Sequence, residues 1–65
     1  MRRIKADFQV VPAGQGGWAV SRTHEGRTEV VGADLFWSRD PRWVIGFPTL
    51  ERAEREMRRM EDEES

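Results

Sequence analysis

His24 and Glu25 are the residues whose types could most simply support catalysis, because an imidazole beside a carboxylate can relay a proton. Both fall in the polar stretch His24-Glu25-Gly26-Arg27, which predicts an exposed turn. General acid–base catalysis needs a cleft that excludes water, and a chain of 65 residues has little mass to build one. We therefore expect a solvated turn histidine and no enzymatic activity.

Few residues in the sequence are suited to bind an anion or a metal ion. The Gly14-x-Gly16-Gly17 stretch resembles part of a phosphate-binding loop, but it joins two predicted strands and no helix N-terminus follows it. Asp34 and Asp40 lack the alternating oxygen ligands of a calcium loop. With no cysteine and one histidine, the chain cannot assemble a Cys/His zinc site. The sequence predicts neither a metal nor another cofactor.

Aromatic side chains are concentrated in an irregular segment before the last predicted strand. Tryptophan and arginine are favoured anchors of protein interfaces, so the segment 34–43 indicates a protein-binding surface. Its candidate residues are Leu35, Phe36, Trp37, Arg39 and Arg42. The alternative is that Phe36 or Trp37 folds back to cap a thin core. The leading hypothesis is a non-enzymatic binding or regulatory module that acts through protein–protein contact, made by the segment 34–43 and the neighbouring sheet edge.

Basic residues support a second hypothesis, a DNA- or RNA-binding module. Residues 1–49 carry seven basic and five acidic side chains, whereas residues 50–65 carry four basic and seven acidic ones. If they share the outer face of the sheet, four basic side chains could contact phosphates, namely Arg3, Lys5, Arg22 and Arg27. The net charge of −1 argues against strong nonspecific affinity.

Hydrophobic periodicity predicts the elements that position these residues. Alternation with period two predicts strands over about 3–11, 17–22, 27–31 and 43–47, with an aromatic loop at 32–42. From Leu50 the spacing of Ala53, Met57 and Met60 becomes helical, with Thr49 as N-cap. We predict a single α+β domain, 1–65: a three- or four-stranded antiparallel meander packed by a helix over about 50–61, with an acidic tail at 62–65.

Three short motifs resemble a known pattern: Val10-Val11-Pro12, then Gly17-Trp18-Ala19-Val20-Ser21-Arg22, then Phe47-Pro48-Thr49-Leu50-Glu51-Arg52-Ala53. They are similar to a small family of bacterial sheet-plus-helix proteins with no assigned activity. In outline they also resemble the arm-type DNA-binding domains of phage integrases. The second resemblance implies that a three-stranded sheet enters a DNA groove.

The composition indicates the genetic origin and the cellular location of the protein. Ten of the eleven basic residues are arginine, a bias typical of GC-rich bacterial or phage genes. The sequence contains no apolar run long enough for a membrane span and no cysteine, so we expect a soluble cytoplasmic protein with no membrane partner. The apolar stripe of the predicted helix, which we call the methionine stripe, consists of Leu50, Ala53, Met57 and Met60. Homodimerisation through a sheet edge or through this stripe is compatible with either binding hypothesis.

Overall fold

Three antiparallel strands form an open sheet in the order β1-β2-β3. In the computed structural model, which describes residues 7–64, β1 spans Asp7–Pro12, β2 spans Trp18–His24 and β3 spans Arg27–Val31. One helix, α1, spans Leu50–Glu64 and packs against β1 and β2. The predicted α+β fold is confirmed in its three-stranded form. The part of the first predicted strand at 3–6 lies outside the described residues.

The turn between β2 and β3 is tighter than predicted, so β2 runs to His24 and does not end at residue 22. Glu25 and Gly26 have φ angles of 53° and 78° and form the whole connection. Positive φ at both central residues gives a two-residue hairpin turn whose twist matches that of the strands.

Helix α1 begins as predicted and ends later. The Thr49 hydroxyl oxygen accepts a hydrogen bond from the backbone N–H of Arg52 at 3.1 Å, which confirms Thr49 as the N-cap. The prediction of an acidic tail from residue 62 is wrong, because the helix continues to Glu64. Acids near a helix C-terminus cost only about 0.3–1 kcal/mol, and extending an existing helix is cooperative, so this penalty does not stop it.

The hydrophobic core is divided between the two faces of the sheet. On the helix side, Val20, Val31, Phe47 and Ala53 are buried. Half-buried residues surround them: Phe8, Val10, Trp18, Trp37, Met57 and Met60. The methionine stripe of α1 therefore faces the sheet. On the opposite side a smaller cluster contains the buried residues Ala19, Val30 and Val44, with Val11 and Ala13 packed against it.

The predicted fourth strand over 43–47 is wrong. Asp40 caps a single turn of 3-10 helix over Pro41–Trp43, where proline at the first position fixes a helical φ. The following residues meet a strand at one isolated bridge, Trp18 to Phe47. Two further backbone hydrogen bonds join them to the β1–β2 turn, from Gln15 N to Val44 O (3.2 Å) and from Gly46 N to Gly16 O (3.1 Å).

Candidate protein-binding surface

The aromatic loop is anchored along the outer edge of β3. Val30 and Ser38 exchange two backbone hydrogen bonds, of 2.7 and 2.8 Å, so the loop pairs with the sheet for the length of one bridge. The Ser38 hydroxyl accepts a hydrogen bond from the Asp40 N–H at 3.1 Å. The backbone N–H and C=O of Val30 are thus both bonded to the loop. A partner that contacts the predicted sheet edge therefore finds no free backbone group at that residue.

Trp37 fixes the loop from the side of the helix. Its ring is half-buried against the helix-side core, and the guanidinium carbon of Arg22 lies 4.1 Å from the ring centroid. Arg22 also makes an ion pair with Glu29 at 3.0 Å. A cation held over an aromatic face is attracted by the ring quadrupole. Of the two rings whose placement was open, Trp37 therefore belongs to the packed interior.

Leu35 and Phe36 point away from that interior. Their exposed fractions are 57% and 75%. Leu35 adopts φ = 62°, a left-handed conformation that is uncommon for a side chain of its size. The N–H of Leu35 donates to Gly32 O at 3.0 Å, and the N–H of Phe36 donates to a carboxylate oxygen of Asp34 at 3.3 Å. Local hydrogen bonds thus support a backbone that keeps both side chains in solvent.

Trp43 and Ile45 are exposed apolar residues that the sequence analysis did not include among its candidate binding residues, although Trp43 ends the segment 34–43. A strand over 43–47 would place Trp43 and Ile45 on the same face as Phe47, but only Phe47 is buried, and the exposed fractions of Trp43 and Ile45 are 71% and 58%. Val44, extended between them, points into the second core cluster, so its two neighbours face the other way. Asp40-Pro41, an N-cap followed by proline, is the signal that could have indicated a helical turn here.

We call the exposed side chains of Leu35, Phe36, Trp43 and Ile45 together the apolar surface. Leu35 lies on the helix side, where it lines a pocket with Trp37 and Met60, whereas Trp43 and Ile45 flank Val44, which packs on the opposite side of the sheet. Its two halves come from neighbouring backbone segments, because the N–H of Ala33 donates to Ile45 O at 2.8 Å. Gly32 permits this approach: a Cβ there would collide with the Ile45 carbonyl oxygen and with a methyl group of Val44. A glycine at position 32 is therefore required to bring the two loops side by side.

Both basic and acidic residues flank the apolar surface. Arg39 and Arg42, both predicted as binding residues, are exposed. Arg42 donates from its side chain to both carboxylate oxygens of Asp40, each at 3.0 Å. These side-chain hydrogen bonds are the main cause that lowers the pKa of Asp40, assisted by the backbone N–H of Arg42, and the same pair raises the pKa of Arg42. The pair stays charged at neutral pH.

Two of the four residues of the predicted basic outer face lie on the helix side of the sheet. Arg22 is on the helix side, over Trp37, and pairs in register with Glu29. Arg27, the first residue of β3, lies two positions before Glu29 and therefore shares that face. Arg3 and Lys5 lie outside the described residues. The sheet register thus separates Arg22 and Arg27 from the outer face to which the nucleic-acid hypothesis assigned them.

His24 lies at the rim of a shallow pocket of about 330 Å³. Its Nε2 is 3.7 Å from a carboxylate oxygen of Glu25, and the pocket is otherwise lined by Arg22, Arg27 and Glu29. The two arginines and two glutamates balance each other. Within residues 7–64 no group of three histidine or acidic side chains is placed to hold a metal ion. Nor is any helix in that range long and apolar enough to cross a membrane.

Comparison with known proteins adds no relative. No family model, no curated protein and no solved structure matches this chain. The resemblances to the bacterial sheet-plus-helix family and to the integrase arm-type domains therefore stay predictions.

Proposed function

We propose that this protein is a non-enzymatic binding module that captures a protein partner through the apolar surface. The observation that carries the proposal is the exposure of Leu35, Phe36, Trp43 and Ile45, between 57% and 75% of each residue, within eleven consecutive residues. Isolated apolar side chains are common on protein surfaces, whereas a group contributed by two adjoining loops is typical of an interaction site.

The composition of the apolar surface supports a protein partner. Tryptophan is among the residues that dominate binding energy at interfaces, and Trp43 lies beside exposed arginine at the rim. Arg42, held by Asp40, and Arg39 supply that polar rim. An apolar centre with charged residues around it is the usual anatomy of such a site.

The anchoring of the two loops also supports binding. The aromatic loop is tied to β3 through Ser38 and to the core through Trp37, and Ile45 is tied to Ala33. Loops that are already ordered lose little conformational entropy when a partner binds, which favours affinity. Exposed rings on an ordered support can thus act as binding anchors.

Affinity capture from lysate of the source cell, followed by mass spectrometry, tests the proposal. The full chain is compared with the double variant Phe36→Ser/Trp43→Ser, with nuclease treatment in both arms. Leu50→Ser is the matched control, since Leu50 is an apolar residue exposed to 44% outside the apolar surface. We expect the double variant to lose a specific protein that wild type and Leu50→Ser retain. Capture that is unchanged in the double variant, or that nuclease abolishes, contradicts the proposal.

A further inference from the structure

We propose further that the uncovered edge of β1 pairs with the same edge of a second copy of this chain, related to the first by a two-fold axis, which makes the protein a bivalent binding module. The pairing of the two strands does not depend on the proposed function, whereas the bivalence rests on it. Three observations lead to this inference: the unequal protection of the two sheet edges, the direction of the backbone groups of β1, and the side chains that this strand carries.

The two edges of the sheet are protected unequally. At the β3 edge, the backbone of Val30 is bonded to the aromatic loop. β1 is the other outer strand, and nothing within residues 7–64 pairs with its outer side. Asp7 and Pro12 mark its two ends, but the four residues between them include neither a charge nor a proline. Proteins normally block a sheet edge with charges, proline, a bulge or a covering loop, so β1 is the edge at which the sheet can be extended.

The register of the sheet fixes which backbone groups of β1 point outward. Both backbone groups of Val30 bond to the aromatic loop, so its partner in β2, Ser21, bonds instead to Gln9 in β1. In an antiparallel strand the N–H and C=O groups of successive residues point to opposite sides. The N–H and C=O groups of Phe8 and Val10 therefore point away from β2, and no other backbone group in the range 7–64 bonds to them.

Gln9 lies midway between these two residues and is the natural centre of a two-fold pairing. An axis through Gln9 places Phe8 of each copy opposite Val10 of the other, and each copy then donates two backbone hydrogen bonds and accepts two. Phe8 and Val10 are both half-buried on the helix side. Their pairing brings an aromatic side chain against a β-branched one across the strands, a combination that stabilises antiparallel sheets.

The exposed side chains of β1 suit a second copy. Gln9 is exposed and would face Gln9 of the other copy. A side-chain amide carries both hydrogen-bond donors and an acceptor, so two facing amides satisfy each other. Asp7, the only charged residue of β1, would face Val11 of the other copy, because residues 7 and 11 are equidistant from the axis. Like charges therefore do not meet directly opposite one another in the paired strands.

This pairing closes after two copies and separates the two binding sites. Since the β3 edge is occupied at Val30, a further strand cannot pair along its full length, and the assembly is a dimer instead of a filament. The joined sheet has the order β3-β2-β1-β1-β2-β3, and its outermost strands are roughly 24 Å apart at the usual strand spacing. An apolar surface lies at each end. A partner with two binding sites at matching distance would therefore be held with increased avidity.

Cysteine cross-linking of the full chain tests the pairing, because the chain contains no cysteine of its own. The two copies of residue 9 would form a non-hydrogen-bonded pair with Cα atoms about 4.5 Å apart, a distance that a disulfide can span. With oxidised glutathione as oxidant, we expect Gln9→Cys to form a covalent dimer at least about tenfold faster than Thr28→Cys. Thr28 is the matched control, since it is an exposed polar residue on the far strand, β3.

Charge substitutions at the axis test the same contact without a cross-link. Gln9→Glu and Gln9→Lys each place like charges opposite one another, so each should dimerise at least about tenfold more weakly than wild type in sedimentation at low salt. Thr28→Glu should dimerise as wild type does. A mixture of the two Gln9 variants should form heterodimers in native mass spectrometry, because opposite charges then face each other across the axis. Thermal melting checks that every variant is folded.

The outcomes separate this inference from the proposed function. Wild type that stays monomeric at every concentration, or a mixture without heterodimers, overturns the pairing of β1. A dimer that Gln9→Glu does not weaken, or that cross-links no faster at position 9 than at position 28, also overturns it, because the copies then meet elsewhere. The proposed function is tested independently by capture with Phe36→Ser/Trp43→Ser, whose residues lie outside β1. If that capture is unchanged while the dimer is found, the pairing stands and the bivalence fails.

Discussion

The guanidinium carbon of Arg22 lies 4.1 Å from the centroid of the Trp37 ring, so the central strand holds the aromatic loop by a cation–π contact. The side chain of Arg22 is exposed to only 25% and is also bonded to Glu29. Partial burial strengthens an attraction of this kind because less water competes for the cation. Of the two neighbouring rings of the loop, Trp37 is therefore packed and Phe36 is exposed to solvent.

Alanine substitutions should distinguish those two rings. Trp37→Ala removes half-buried contacts with the helix-side core, and we expect it to lower the free energy of unfolding by about 2 kcal/mol, less than for a fully buried tryptophan. Phe36→Ala removes an exposed side chain and should change stability by about 0.5 kcal/mol or less. Urea denaturation followed by circular dichroism measures both. Equal losses would show that Phe36 is packed as well.

A double-mutant cycle should reveal the coupling between Arg22 and Trp37. We expect Arg22→Gln and Trp37→Ala together to cost less than the sum of the single changes, by about 0.5–1 kcal/mol. The matched cycle of Arg22→Gln with Phe36→Ala should show no coupling, because Phe36 points into solvent. Additive effects of Arg22 and Trp37 would argue against the cation–π contact.

Gly32→Ala should destabilise the protein more than a glycine substitution in open space. A Cβ at position 32 meets backbone and side-chain atoms of the adjoining loop, and we expect a loss of about 3 kcal/mol from this overpacking. The control is Gly26→Ala: Gly26 has φ = 78° and no atom within 4 Å of the added Cβ, so only backbone strain of about 1–2 kcal/mol applies. A smaller loss at position 32 would mean that the loops do not approach closely.

At position 35, the usual order of stability of the alanine and glycine variants should be reversed. Both Leu35→Ala and Leu35→Gly remove the same apolar contacts, but only glycine relieves the left-handed backbone at φ = 62°. We expect Leu35→Gly to be more stable than Leu35→Ala by about 1 kcal/mol, whereas glycine is normally the less stable of the two. Chemical denaturation of the pair gives the sign directly.

The Asp40 and Arg42 pair should respond to acid. Hydrogen bonds from Arg42 lower the pKa of Asp40 in the folded state below the ordinary aspartate value of about 3.9. The ionised carboxylate therefore stabilises the fold fully above about pH 4, and this contribution is lost as the pH falls through the lowered pKa. Asp40→Asn keeps an oxygen to cap the 3-10 turn but carries no charge. We expect wild type to be more stable than Asp40→Asn at pH 7 and the difference to vanish at strongly acidic pH.

Local periodicity was sufficient to predict the sheet and the helix. The strand over 27–31 and the start of α1 after Thr49 agree with the prediction, because each depends on alternation or capping within a few residues. The end of α1 was predicted less well, since helix length depends on a balance of small energies.

The candidate surface could be predicted only in part. Leu35 and Phe36 are exposed in an irregular loop, as the leading hypothesis requires. Trp37 is half-buried against the core, and the exposed Trp43 and Ile45 were predicted to share one face of a strand with the buried Phe47. Whether an aromatic side chain in a loop is packed depends on tertiary contacts such as that with Arg22, which no local pattern contains. The 3-10 turn over Pro41–Trp43 replaces the start of the predicted strand, so Trp43 and Ile45 do not share the buried side of Phe47.

The division of the core has a consequence for how the chain is made. Val44 covers one face of the sheet and Phe47, three residues later, is buried under the helix on the other. Both faces of the β1-β2-β3 sheet are therefore covered by residues that follow the three strands in the chain. While the chain emerges from a ribosome, the strands alone have no stable partner for either face, and folding becomes favourable only once α1 has left the exit tunnel. The sheet and helix are therefore expected to fold in a single cooperative step, after α1 has emerged and not strand by strand.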